Sequence, residues 1–90
     1  MKELTIIIGG GLDTYCINCS KTRDVVKKVV EKKFPDVHID FDHINISRPE
    51  SISKYGPMLP PCIIIQDTIV HEGSIPTESI VEKILEHFLK

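Results

Sequence analysis

Two short runs, Thr5-Ile6-Ile7-Ile8 and Cys62-Ile63-Ile64-Ile65, restrict what this chain can become more than any other feature. Successive side chains on a strand point to opposite faces. A run that is apolar at every position must therefore be covered on both sides, as inner strands of a helix-covered sheet are. A chain of 90 residues forms one core and one domain, here residues 1–90.

The segments between these runs supply the covers and the edges. From Ile17 to Phe34, Val25, Val26, Val29, Val30 and Phe34 recur at helical spacing, and Pro35 stops the helix. Val37, Ile39 and Phe41 then alternate with His38, Asp40 and Asp42, the pattern of a strand with one wet face. Ile44 and Ile46 fall out of phase, which predicts a strand end near His43. Arg48 to Tyr55 reads as a short helix with Ser47 as its cap and Gly56 after it. Gln66-Asp67 reads as a tight turn into Thr68-Ile69-Val70-His71. Thr77 caps a last helix with Ile80, Val81, Ile84, Leu85 and Phe88 as its buried stripe. The expected fold class is α/β, in the order β-α-β-α-β-β-α. It predicts a four-stranded mixed sheet with the apolar strands central, a parallel first pair, an antiparallel last pair and helices on both faces.

Composition narrows the function classes. The formal net charge is −2, so no strong positive field draws nucleic acid or an anionic membrane. Lys27, Lys28, Lys32 and Lys33 cluster, but Asp24 and Glu31 are interleaved, and Asp24 stands four residues before Lys28. That pattern is a solvated helix face. The apolar stretch Leu4–Ile8 is too short for a signal-peptide core and no segment matches a membrane span, which sets the expectation of a cytoplasmic protein. Three cysteines, two of them three positions apart, are no disulfide framework of a secreted miniprotein.

That pair, Cys16 and Cys19 in Tyr15-Cys16-Ile17-Asn18-Cys19, carries the chemistry. The spacing places two sulfurs on adjacent turns of a helix start. The unpaired N–H groups and dipole there favour a thiolate at the first cysteine, and the thiolate is the nucleophile. Cys16 then attacks a disulfide and Cys19 resolves the mixed disulfide. Zinc sites share this spacing. The position after a first strand, with no second such pair, favours redox chemistry.

The chain resembles the small thioredoxin-like proteins of the thioredoxin and glutaredoxin superfamily. The first strand, Cys16-Ile17-Asn18-Cys19 and the following helix carry part of the likeness. Lys54-Tyr55-Gly56-Pro57-Met58-Leu59-Pro60-Pro61-Cys62-Ile63-Ile64-Ile65 and the Gly73 and Pro76 pair carry the rest. The resemblance implies a thioredoxin-like fold, a thiol–disulfide oxidoreductase with Cys16 and Cys19 as catalytic residues, and a cis-proline at Pro61 packed on the dithiol. It places Tyr15, Pro60 and Pro61 at the substrate. In thioredoxins the residue before the cis-proline pairs with extended substrate through its N–H and C=O. Here that residue is Pro60, which has no N–H.

Several residues have plainer readings. Cys62 is either a third thiol near the pair or a small buried strand residue, and the burial habit of free cysteine favours the second. Gly9-Gly10-Gly11 lacks a dinucleotide fingerprint or a Walker lysine and reads as a flexible approach to the dithiol. Asp13 and Thr14 read as exposed loop residues. His38, His43, His71 and His87 have no metal-pair spacing and read as structural or solvated. Tyr55 reads as packing beside the proline loop.

The partners expected are a disulfide-containing protein or small thiol substrate, and a reductant that is either a thioredoxin reductase-like flavoprotein or a low-molecular-weight thiol. No cofactor, metal, nucleic acid or membrane is implied, and a monomer is expected. Two other functions compete: a soft-metal carrier for zinc or copper(I), and a non-catalytic interaction module on the same fold. Against the carrier, Thr14 stands where heavy-metal-associated domains usually have Met, and the chain ends in a helix after a hairpin.

Overall fold

The computed structural model describes residues 2–89. Its elements are β1 (Lys2–Gly10), α1 (Ile17–Lys33), β2 (Val37–Asn45), α2 (Pro49–Tyr55), β3 (Cys62–Ile65), β4 (Thr68–Glu72) and α3 (Glu78–Leu89). The sheet order is β2-β1-β3-β4, with β1 parallel to β2 and antiparallel to β3, and β3 antiparallel to β4. This is the α/β class and element order expected, with the two strands that hold the isoleucine runs at the centre.

Strand parity divides the core. Leu4, Ile6, Ile8, Ile63 and Ile65 face α1 and α3 and pack with Cys19, Val26, Val29, Val81 and Leu85. Ile7, Ile44, Ile46, Cys62 and Ile64 face the other way and pack with Tyr55 and Met58. Ile6, Ile8, Ile63, Ile64 and Ile65 are all at most 2% exposed, and each contributes about 1.5–3 kcal/mol through burial. Both faces of β3 are thus sealed, whereas on β1 Ile6 and Ile8 are sealed beneath the helices and the opposite face is open at Thr5 and half-covered at Ile7, so the expected cover on both sides is met only in part.

Four local features differ from the sequence expectation. β1 runs on through Gly9 and Gly10, because their bare backbone still pairs with Ile44 and Asn45 of β2. β2 likewise continues to Asn45 rather than ending near His43. Ile44 keeps the phase of Asp40 and Asp42, but the core cluster that holds Tyr55 covers that face only at this end of the strand. α2 is capped by Arg48, not Ser47. Pro49 at the first helical position pushes the residue before it into extended backbone, with ψ 142°. Ile80 is 38% exposed rather than buried, whereas Val81 and Leu85 are buried.

The termini of the other elements behave as read. Phe34 caps α1 with its N–H donating to the Val30 carbonyl. The Thr77 hydroxyl accepts from the Ile80 N–H at 3.2 Å. Lys28 and Lys32 both reach Glu78 at 3.3 Å, which links α1 to α3 in place of an Asp24–Lys28 pair. These are exposed ion pairs of small energy.

The β3–β4 hairpin turns on Gln66 and Asp67, both at positive φ (51° and 61°). Neither residue favours that region as Asn-Gly does. The double substitution Gln66→Asn with Asp67→Gly is therefore expected to raise stability by about 1 kcal/mol. Urea unfolding with an unchanged slope is the check, and no gain would mean the turn is not strained.

Candidate active site

The site is built where β1 ends and α1 begins. Cys16 is the N-cap of α1, in extended backbone (φ −84°, ψ 175°). Its carbonyl accepts from the Ser20 N–H at 2.9 Å, and its Sγ accepts from the Cys19 N–H at 3.3 Å. The sulfur thus fills the role that a Ser or Asp oxygen takes at most helix starts. One turn on, Cys19 is fully buried, and the two sulfurs are 2.9 Å apart in hydrogen-bonding contact. Both are free cysteines.

Their environments separate them. The hydrogen bond from Cys19, followed by backbone N–H groups of the helix start, holds the Cys16 thiol below its ordinary pKa. Burial, and then the contact with Cys16, pushes the Cys19 thiol up to about 11. Cys16 is half-buried and therefore reachable. This is the division that a nucleophile and a resolving thiol need.

The glycines of β1 make this possible. A Cβ on Gly10 would overlap Cys19 Sγ and stand 3.7 Å from Cys16 Sγ and 3.4 Å from His43 Nε2. A Cβ on Gly9, on the opposite face, would overlap Cys62 Sγ and stand 2.7 Å from Ile46 Cγ2. Gly9 and Gly10 are thus close-approach residues in a paired strand rather than a flexible loop. Gly11 has nothing within 4 Å of such a Cβ.

Each residue singled out in the sequence has a definite place. Tyr15 is half-buried; its hydroxyl donates to the Asp42 carbonyl at 3.4 Å, and the Arg23 guanidinium lies 4.6 Å over its ring. Burial raises its pKa. Leu12, Tyr15, Cys16, Ile17 and Asn18 line one open concavity. Pro61 is buried, Pro60 is exposed, and the peptide between them is cis. Pro61 immediately precedes Cys62, which pairs with Gly9, so the strand register carries it to the same end of the sheet as the dithiol. Cys62 itself lies across the sheet, in the cluster with Tyr55 and Met58, with its Sγ 3.8 Å from the Met58 sulfur. Burial raises its thiol to about 11, the setting of an inert packing residue.

Three contributors were not visible from spacing alone. Asp13 takes two hydrogen bonds from Arg48, at 2.6 and 2.9 Å, and one from Asn45 at 3.0 Å. That clasp ties the loop before Cys16 to the start of α2, and Arg48 holds the Asp13 carboxyl below its ordinary pKa. Glu72 Oε1 accepts from the Leu59 N–H at 3.0 Å, and the Gly73 N–H donates to the Leu59 and Pro61 carbonyls. His43 packs against Tyr15 in a tilted contact, with ring centroids 4.6 Å apart and 40° between the planes. Strand parity is the signal for His43, because it shares the face of Ile39 and Phe41 beneath α1.

A Cys-x-x-Cys pair capping the first helix of a β-α-β-α-β-β-α domain, beside a buried cis-proline, defines a thioredoxin-like dithiol protein. A scan of family models matches the thioredoxin domain over residues 5–86, and the chain belongs to that family. No curated protein matches the chain in a sequence search.

Gly10→Ala tests the close-packed site. Overpacking of this kind costs about 1–3 kcal/mol, whereas Gly11→Ala is expected to stay within about 0.5 kcal/mol of the parent. Denaturant unfolding of the two reduced variants measures both, and equal effects would show that the Gly10 contact carries no energy.

Proposed function

We propose that the protein is a thiol–disulfide oxidoreductase in which Cys16 attacks a substrate disulfide and Cys19 resolves the mixed disulfide. The observation that carries this reading is the asymmetric pair: a half-buried Cys16 sulfur capping α1, 2.9 Å from a fully buried Cys19 sulfur. Tyr15, Pro60 and Pro61 frame the approach. Leu12 (57% exposed), Ile17 (75%) and Leu59 (62%) leave apolar surface on the loops around the site. Such surface suits an apolar segment flanking a partner's disulfide.

The same loop supports a specialised rather than a general reductase. Pro60 has no N–H to offer an extended peptide. The Leu59 N–H and C=O are both engaged internally, by Glu72 and Gly73. Loss of one substrate hydrogen bond weakens binding by about 1 kcal/mol. Reduction of insulin at the rate of a general thioredoxin would contradict this. The proposed setting is a cytoplasmic monomer, re-reduced by a flavoprotein reductase or a low-molecular-weight thiol. Among the described residues no helix is long and apolar enough to cross a membrane.

A soft-metal carrier would have to use Cys16 and Cys19 with ligands from elsewhere. Among the described residues no group of three or more His, Cys, Asp or Glu is placed to hold a metal ion. The deciding experiment is alkylation and mass analysis of metal-stripped protein across a redox-buffer series. One reversible two-electron step is expected, forming Cys16–Cys19 and absent from Cys16→Ser and Cys19→Ser. Failure to form that disulfide at any potential overturns the proposal, and tight stoichiometric zinc or copper(I) without a disulfide favours the carrier.

A further inference from the structure

A resolving thiol that is buried has to lose its proton before it can attack, and solvent does not reach Cys19. One polar side chain at the same end of the sheet is unexplained by the fold. Among the described residues, neither buried ring nitrogen of His43 has a hydrogen-bond partner, a costly arrangement that calls for an explanation. His43 Nε2 lies near the space that the Cys19 sulfur takes beside bare Gly10. The point where a Gly10 Cβ would stand is 3.4 Å from His43 Nε2, 3.7 Å from Cys16 Sγ and within overlap of Cys19 Sγ. His43 Nε2 and the two cysteine sulfurs therefore converge on the end of β1, where the Cys19 sulfur fills the room that a Gly10 side chain would take.

We propose, building on the oxidoreductase reading above, that His43 is the proton acceptor for Cys19 in the resolving step. In the mixed disulfide, Cys16 Sγ is bonded to a substrate sulfur, and the first substrate sulfur has already left as a thiolate that solvent protonates. The Cys19 thiol gives its proton to His43 Nε2. The electron pair left on Cys19 Sγ forms the bond to Cys16 Sγ. The bond from Cys16 Sγ to the substrate sulfur breaks, its electron pair leaves on that sulfur, and the imidazolium returns the proton to it. Two cysteine thiols are oxidised to one disulfide, and one substrate disulfide is reduced to two thiols.

The surroundings suit this role. Tyr15 packs against the imidazole with the ring planes 40° apart, and the Arg23 guanidinium lies over the Tyr15 ring. Asp42 accepts from the His43 backbone N–H, which fixes the residue without occupying its ring. Asp13, on the loop before Cys16, is itself held by Arg48 and Asn45. Cys16 and Cys19 complete the groups that face the ring. Gly10 leaves the approach clear, so one glycine both admits the Cys19 sulfur and opens the way to its base.

The test uses the full chain and a limiting amount of 5,5′-dithiobis(2-nitrobenzoate). The first thionitrobenzoate released reports attack by Cys16, and the second reports resolution by Cys19. In the wild type the second phase is expected to rise with pH to a plateau set by a group other than the thiol. In His43→Gln the first release still occurs. The second is slower by about ten- to a hundredfold at neutral pH and climbs with hydroxide, without that plateau, toward the range of the Cys19 thiol. If the variant does not fold, the wild-type profile alone decides, because a second phase that follows only thiol ionisation overturns the proposal. Equal second phases in folded wild type and His43→Gln overturn it as well. Absence of the first release, or of any Cys16–Cys19 disulfide, would instead mark failure of the oxidoreductase reading.

Discussion

The contact between the Cys16 and Cys19 sulfurs, pressed against the bare backbone of Gly10, is the interaction on which the site depends. It requires a helix that starts at Cys16, so that the first sulfur caps the N-terminus and the second is turned inward. It requires a strand that ends without side chains, so that the inward sulfur has room. It also requires that β1 be held from both sides, by β2 in parallel and β3 antiparallel, because only a paired strand keeps glycine backbone in place. The apolar runs of β1 and β3 therefore serve the chemistry as well as the core.

Burial then separates two chemically identical thiols. Cys16 gains the helix-start N–H groups and the Cys19 hydrogen bond, all of which favour its thiolate. Cys19 gains the desolvation. Cys62 shows what burial does without such a partner: its thiol is equally raised, but it lies under the opposite face, and it has no route to the pair. Three cysteines in one small domain thus have three fates, decided by strand parity and by one helix terminus.

The central strands and the dithiol were legible because their signals are local. Four consecutive β-branched residues admit few solutions, and a Cys-x-x-Cys pair at a helix start is read from spacing. The hairpin at Gln66-Asp67 and the Thr77 cap were legible for the same reason. The errors arose where a local pattern met a distant cover. Ile44 lies on the opposite face from Ile39 and Phe41, and it is apolar because the core around Tyr55 reaches that end of β2 and not the other. Gly9 and Gly10 read as a loop because the sulfurs that need their space come from other elements. Asp13, Glu72 and His43 act through partners far along the chain, at separations that no short pattern encodes.

Membership of the thioredoxin domain family accounts for the shared frame, and the particulars of this chain modify it. Pro60 removes a donor at the substrate edge, and Glu72 with Gly73 consumes the neighbouring backbone groups at Leu59. The measurement closest to the central claim is a pH titration of the reduced protein with ¹³Cβ-labelled cysteine, followed by NMR. The account predicts that Cys16 titrates below an ordinary thiol and Cys19 near 11. Two cysteines titrating together at the ordinary value, or Cys19 ionising first, would contradict it.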